Sequence, residues 1–450
     1  MLGKHIYLTV QFRLFLVSIL RSSRLKNAVS IVAQIRIAQH CDCATRNQYH
    51  LIKIIAGLIV FCALCLHHTS FAGSREQAKR IHDRLAGTPA SANTIDTMQA
   101  LIEQGDTLQA AYLAMDNPAF YNVTLKNWIT PWTNEESDVF APLNDYTATV
   151  IGMIRDDSDF REILSGNLIY TGDPSFNLPN YALDNNDHYQ ALEDREIDLS
   201  VALVVATQTA VTGLPAAATA GVLTTRAAAK SFFKDGTNRA MFRFTLINHL
   251  CTDLEGVKDT SRAPDRIRQD VSRSPGGDSR IFLNSCIGCH SGMDPLAQAF
   301  AYYNYSYNTD ADPDGLRGRL IYNIEGQIDP ETGSRVTEKH QINNNNFPYG
   351  FVITDDSWQN YWRSGLNKNI GWDENLTGSG NGAKSMGQEL ANSAKFAQCQ
   401  VNKVFENVCL RSPQDGDDRT QVSAMISNFR SSGFQIKRVF ADAANYCKGS

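Results

Sequence analysis

The sequence predicts a mainly α-helical protein with one irregular, partly β insertion. Three observations carry that reading. Apolar residues recur at helical spacing through much of 73–300 and again from 386 onwards, glycine, proline and asparagine dominate 304–385, and no internal repeat or heptad is present. The chain has 450 residues, 43% hydrophobic and 20% charged, the composition of an ordinary globular protein long enough for a substantial core.

From the amino end, residues 1–50 show no strong periodicity, and the expectation is that synthesis starts at or near Leu51, so that 1–50 is not made. Residues 51–72 read as a signal peptide: Lys53, an apolar run of thirteen from Ile54 to Leu66, and a small-x-small pattern at Ser70-Phe71-Ala72. An uncleaved anchor is the alternative, but such a run covers about 20 Å of a ~30 Å hydrocarbon core. The large residues Phe61 and Leu64 before Cys62 and Cys65 do not fit a lipoprotein cysteine. Residues 1–72 hold eight Lys/Arg and one acidic residue, leaving 34 basic and 46 acidic residues, a net −12, in the remainder. An acidic body with no basic stripe argues against nucleic acid or anionic lipid as the main partner.

The N-terminal helical region, 73–165, opens with SREQAKRIHDRLAG, which stops at Gly87-Thr88-Pro89. ANTIDTMQALIEQG and TLQAAYLAMD follow, then a helix from Asn117-Pro118 to about Trp128 and a pair over 145–165. Residues 166–195 are polar and predicted as a linker, and 196–275 return to helix with Ala-rich runs broken at Gly213-Leu214-Pro215. Within 276–385, RLIYNI and GFVIT read as short strands. The C-terminal region, 386–450, is predicted as three helices near 386–410, 417–432 and 434–447.

The motif that carries chemistry is Cys286-Ile287-Gly288-Cys289-His290. C-x-x-C-H is the pattern of covalent c-type haem attachment: two thiols spaced to add across the vinyl groups of one haem, and an adjacent imidazole to ligate its iron. Ten Cys and ten His in 450 residues would produce it by chance in roughly one such chain in two hundred. A redox dithiol wants a βαβ context that the flanks lack, and a zinc site wants a second ligand pair. The fold class therefore sharpens to a multi-helix, cytochrome c-like haem region, 276–385 with its insertion, embedded in a larger helical body.

The sixth iron position separates electron transfer, where Met or His closes the site, from reaction chemistry at an open iron. Met386, after the Gly-rich LTGSGNGAKS loop, is the preferred candidate, and His340 comes next. Of the remaining mature cysteines, Cys399 and Cys409 share one helix-patterned stretch that would hold them about 15 Å apart, too far for a bond. The pairings left are Cys251–Cys399 with Cys409–Cys447, the preferred set, or Cys251–Cys409 with Cys399–Cys447. Asp310, Asp312, Asp314 and Gly315 copy the start of an EF-hand loop, but Ile321 stands where the bidentate Glu belongs and Pro313 intrudes. A solvated acidic turn is expected there in preference to a Ca²⁺ site.

The segment CIGCHSGMDPLAQAF (286–300) resembles the C-x-x-C-H-x-x-(I/M)-D-P-L-G-x-A-L segment of the planctomycete-type cytochrome-like proteins. AAYLAMDNPAF, FREILSGNLIYTG, NRAMFRFTLINHLC and FAQCQVNKVFENVCLRSPQDGDD agree in order, so the resemblance spans nearly all of 75–447. It implies an exported, mainly α-helical protein with one haem held by Cys286, Cys289 and His290. It also implies that Asp294-Pro295 turns the chain after the motif. The sequence departs at Ala297, where the family has Gly, at Tyr303-Asn304-Tyr305, where an acidic-aromatic pair is common, and in lacking a proline-rich stretch after Cys251.

Three functions follow as expectations: a periplasmic or secreted electron-transfer protein with a redox partner, a haem enzyme of peroxidase or oxygenase type, and a helical binding module whose motif is redox-structural or vestigial. No nucleophile triad, phosphate-binding loop or HExxH helix accompanies the haem motif.

Overall fold

A computed structural model describes residues 72–449, which belong to one compact unit built around one main apolar core. Residues 1–50 and, apart from Ala72, the segment 51–72 expected as a signal peptide lie outside the described residues. The fold is mainly α with three small two-stranded sheets. No helix among the described residues is long and apolar enough to cross a membrane.

At the amino end α1 (Ser74–Ala86), α2 (Ala92–Glu103) and α3 (Thr107–Met115) pack on one another. Helix α1 buries Ala78, Ile81 and Leu85, the 3–4 spacing of one helical face, and stops at Gly87. Gly87 takes φ 70° and donates its N–H to the Asp83 carbonyl, the left-handed cap that glycine adopts without steric cost. Ser91 caps α2, its side chain accepting the Thr94 N–H.

Helix α4 (Asp145–Arg155) is buried along nearly its whole length and packs against strand β1 (Ile169–Gly172). Strand β1 pairs antiparallel with β2 (Leu203–Ala206), Ile169 opposite Ala206. Both strands fall in segments predicted as linker or helix. An apolar Leu-Val-Val-Ala run suits a strand as well as a buried helix turn, and pairing with β1 decides it. Farther on come α5 (Arg226–Phe232), α6 (Arg239–Leu250) and α7 (Ile287–Ala297).

The insertion contributes β3 (Tyr303–Ser306) paired with β4 (Arg319–Tyr322), and β5 (Ser357–Gln359) paired with β6 (Ser379–Asn381). RLIYNI forms β4 as expected, whereas GFVIT contributes only the isolated bridge of Phe351 to Arg268.

The C-terminal region holds α8 (Gly382–Ala391), α9 (Ala394–Cys409), α10 (Gly416–Ser431) and α11 (Ile436–Cys447). The helix predicted over 386–410 is thus two, split where the Ser393 side chain accepts the Phe396 N–H and starts α9. Helix α9 is the hub: it packs on α10, α11 and α6, and α11 packs back on α1 and α3. Cys399, in its N-terminal half, and Cys409, its last residue, are both buried and bond to other elements, Cys251 to Cys399 and Cys409 to Cys447, with Cα separations of 5.3 and 5.5 Å. These are the preferred pairings of the sequence reading.

Helix α6 then joins this body to α7, packing on α9 and on α7. On the other side of α7, Gly292 lies against Trp362, where a Cβ would come 1.9 Å from the indole Nε1. Only a residue without a side chain admits that approach, which presses the motif helix onto a fully buried tryptophan.

Candidate functional site

The C-x-x-C-H motif sits within one continuous helical run. Asp278 starts it by accepting the Arg280 N–H at 2.9 Å, one π-type turn covers Phe282–Cys286, and α7 carries on to Ala297. Cys286, Cys289 and His290 are spaced i, i+3 and i+4, so both thiols and the imidazole share one face. Wide turns of this kind recur at functional sites, and this one delivers Cys286 to the face.

Cys286 packs at the edge of a small cluster of Ile267, Val271 and Phe282, while the Cys289 Sγ approaches the Leu254 carbonyl at 3.7 Å. Burial, then the charge of Glu255, pushes the Cys289 thiol up. Leu283, one turn before Cys286, is 55% exposed, and Ile281 is 46% exposed. Apolar surface is therefore open beside the thiols. Cys286 and Cys289 are the two unpaired cysteines among the described residues, and the other four are cross-linked.

The imidazole of His290 keeps 21% of its side-chain surface exposed, and its Nδ1 lies 3.1 Å from Oδ1 of Asp294, one turn on. Asp294 is completely buried. Burial alone would push its carboxyl up, but the Arg239 guanidinium and His290 outweigh that and hold it far below the ordinary carboxylate range. An ionised carboxylate only accepts, so the hydrogen on His290 belongs to Nδ1. Nε2 has no hydrogen-bond partner among the described residues.

The carboxylate is fully used. It accepts Arg239 Nε at 2.7 Å and Nη2 at 3.0 Å, and the Arg268 backbone N–H at 3.3 Å, besides His290. Arg239 also reaches both oxygens of Asp270, at 2.5 and 3.0 Å, and Arg268 Nη2 reaches Asp270 at 3.2 Å. Two arginines and two aspartates thus balance in charge behind the imidazole. Pro295 lies inside α7, which continues two residues beyond it. The turn that the resemblance implied at Asp294-Pro295 does not fall there: the helix continues to Ala297, and the Asp294 side chain holds His290.

The other expected site residues lie elsewhere. Met386 is sealed within the main core on α8, which packs on β6 and on the turns at 160–164 and 298–300. His340 is buried with both ring nitrogens engaged: Nδ1 accepts Arg268 Nη1 at 3.2 Å, since a guanidinium only donates, and Nε2 donates to the Phe300 carbonyl at 3.4 Å. Burial, then Arg268, holds its pKa well below the ordinary imidazole value. It has no nitrogen left for iron in this arrangement.

The two oxygens of Asp312 accept the backbone N–H groups of Leu316 and Arg317 at 2.8 and 2.6 Å, so the carboxylate closes its own turn. Asp310, Asp312 and Asp314 do not converge, and no group of three or more His, Cys, Asp or Glu side chains poised around one ion occurs among the described residues.

The donor set fits a c-type haem. Two unpaired thiols one helical turn apart share a face with an imidazole whose Nε2 is free and whose Nδ1 is anchored, the arrangement in which a ring is oriented for a metal. Sequence reasoning missed Asp294, Arg239, Asp270 and Arg268 as site residues. The i, i+4 spacing of His290 and Asp294 was the available signal.

No family model matches the chain, and neither a curated protein nor a solved structure matches it.

Proposed function

We propose that this chain is an exported c-type cytochrome-like protein that carries one covalent haem and transfers electrons to or from a periplasmic redox partner. The observation that carries the proposal is the motif face of α7: Cys286 and Cys289 unpaired, in a protein whose other described cysteines are all cross-linked, beside an anchored His290 with a free Nε2. Two disulfides support an oxidising compartment, which is where c-type attachment takes place.

Each group has a role in this reading. Cys286 and Cys289 would hold the macrocycle through thioether bonds, His290 would ligate its iron through Nε2, and the exposed Leu283 and Ile281 would offer apolar cover. The haem would supply a one-electron couple. A reactive dithiol is disfavoured by the helix itself, because the run from Ser279 to Ala297 is continuous through the motif. Neither cysteine therefore gains the thiolate stabilisation of a free helix N-terminus, and burial pushes Cys289 the wrong way.

A second reading, a haem enzyme with an open distal position, draws support from two observations. The nitrogens of His340 are both engaged within the fold, and a carboxylate-backed imidazole is a stronger donor, which favours bond-breaking chemistry at iron.

The test is substitution of the motif in an export- and maturation-competent host. Cys286→Ala with Cys289→Ala abolishes covalent haem on a denaturing gel, and His290→Ala changes the absorption spectrum even where attachment survives. A variant lacking all three that kept a normal haem spectrum contradicts the proposal.

A further inference from the structure

We propose that Asp294 is the positioning residue of the haem centre: clamped by Arg239, it takes the Nδ1–H of His290, aims Nε2 outwards, and with its fixed negative charge lowers the reduction potential of the bound iron. The inference rests on the haem reading above and goes beyond it by naming the groups that tune the site.

The geometry argues it in three steps. The bond from His290 to Asp294 joins residues one turn apart on a helix pinned against Trp362 at Gly292, so the imidazole cannot swing without giving up that bond. Asp294 in turn cannot rotate, because Arg239 grips both its oxygens and the Arg268 backbone N–H takes a remaining lone pair. Arg239 is itself fixed from behind by Asp270, and Asp270 by the Arg268 side chain, whose other nitrogen ends on His340. A ligand imidazole that donates to a carboxylate gains electron density at its other nitrogen and becomes the more basic ligand. A more basic ligand stabilises the oxidised over the reduced iron. Arg239 works the other way, drawing charge from the same carboxylate, so the pair sets the donation between that of a free carboxylate and that of a neutral acceptor.

This arrangement predicts opposite signs for two small changes. Asp294→Asn keeps the shape and an acceptor oxygen but removes the charge. Arg239→Lys keeps the charge but loses the bidentate grip.

The experiment has two parts. Nitrogen-15 NMR of histidine rings in the haem-free chain, at a pH well above the ordinary imidazole range, reports the tautomer of His290 without any haem, with His290→Gln assigning the signal. The expected result is a proton on Nδ1 and none on Nε2; a proton on Nε2 overturns the inference. In the haem-loaded protein, Asp294→Asn raises the reduction potential by a roughly tenfold change in the oxidised-to-reduced balance, about 59 mV for one electron, and Arg239→Lys lowers it by less. Unchanged potentials in both folded variants overturn the inference as well. Structural loosening does not produce shifts of opposite sign. If no haem attaches at all, the haem reading fails, while the tautomer still decides whether Asp294 orients His290.

Discussion

The helical body and the motif segment share one apolar core but reinforce it differently, the body with disulfides and the segment with buried ion pairs. In the body, α9 packs against α6, α10 and α11 and is bolted twice, by Cys251–Cys399 and by Cys409–Cys447. In the segment from 254 to 385, the cysteines stay unpaired and short helices and loops surround α7. There, buried charge adds to the apolar contacts of Leu296, Phe300 and Trp362, through Arg239, Asp270, Asp294 and Arg268. Apolar packing tolerates modest changes of shape, whereas a buried ion pair depends on every partner being present. The body can therefore act as a rigid mount, and the site can be tuned by single residues.

The contrast can be broken from either side. The largest effect is expected at the bolts. Replacing both cysteines of Cys251–Cys399, which are 148 residues apart, costs about 5 kcal/mol by the chain-entropy relation, and removing Cys409–Cys447, 38 apart, about 4. Denaturant midpoints measure both, and a loss below about 1 kcal/mol would mean that packing alone holds the body.

Next comes the ionic side. Asp294→Ala leaves two buried arginines, Arg239 and Arg268, sharing the one carboxylate of Asp270 and costs about 3–5 kcal/mol, while replacing Asp294 by Leu together with Arg239 by Met restores the balance and recovers part of that loss. Equal losses from the single and double variants would mean that charge balance is not what holds the segment.

Acid acts on both regions through a buried imidazole, His249 in the body and His340 in the segment, and the segment adds the ion-paired carboxylate of Asp270. His249 is buried in the body, and burial, then the charge of Lys403, holds its pKa well below the ordinary imidazole value. Below about pH 6.5 the unfolded chain takes up a proton that the folded chain does not, so stability falls as pH falls, by about 1.4 kcal/mol per unit. His249→Gln removes that slope between about pH 6 and 5. On the ionic side, burial raises Asp270 but Arg239 outweighs it and holds the carboxyl below its ordinary value. Its contribution is present at neutral pH and is lost only as pH falls below about 4. The smallest effect is at the start of α9, where Ser393→Ala removes the cap on the Phe396 N–H at a cost of about 1 kcal/mol.

The same division explains what the sequence made legible. The body was readable because its order is local: the helical spacing of α1 to α3 and α9 to α11 shows in the apolar pattern, and the rise along α9 alone excluded a Cys399–Cys409 bond. The motif was readable because its chemistry lies in five consecutive residues. The support behind it was not, because Arg239, Arg268, Asp270 and Asp294 come from three stretches of chain and meet only in the fold. Pro295 also pointed away from the answer, since a proline after Asp reads as a turn, yet the helix runs through it. His340 stood in a polar loop and still became buried, because Arg268 and the Phe300 carbonyl satisfy both its nitrogens. Strands β1 and β2 were hidden for a different reason: each is only four residues long, and the Leu-Val-Val-Ala run of β2 has no period of its own.

The most direct test of the central claim is an absorption spectrum of the protein made in an export- and maturation-competent host, oxidised and reduced, with and without carbon monoxide, beside a denaturing gel stained for covalent haem. The account predicts covalent haem with a low-spin spectrum indifferent to carbon monoxide. Ready binding of carbon monoxide would transfer the function to the enzyme reading, and the absence of covalent haem from protein made in a maturation-competent host would contradict the account.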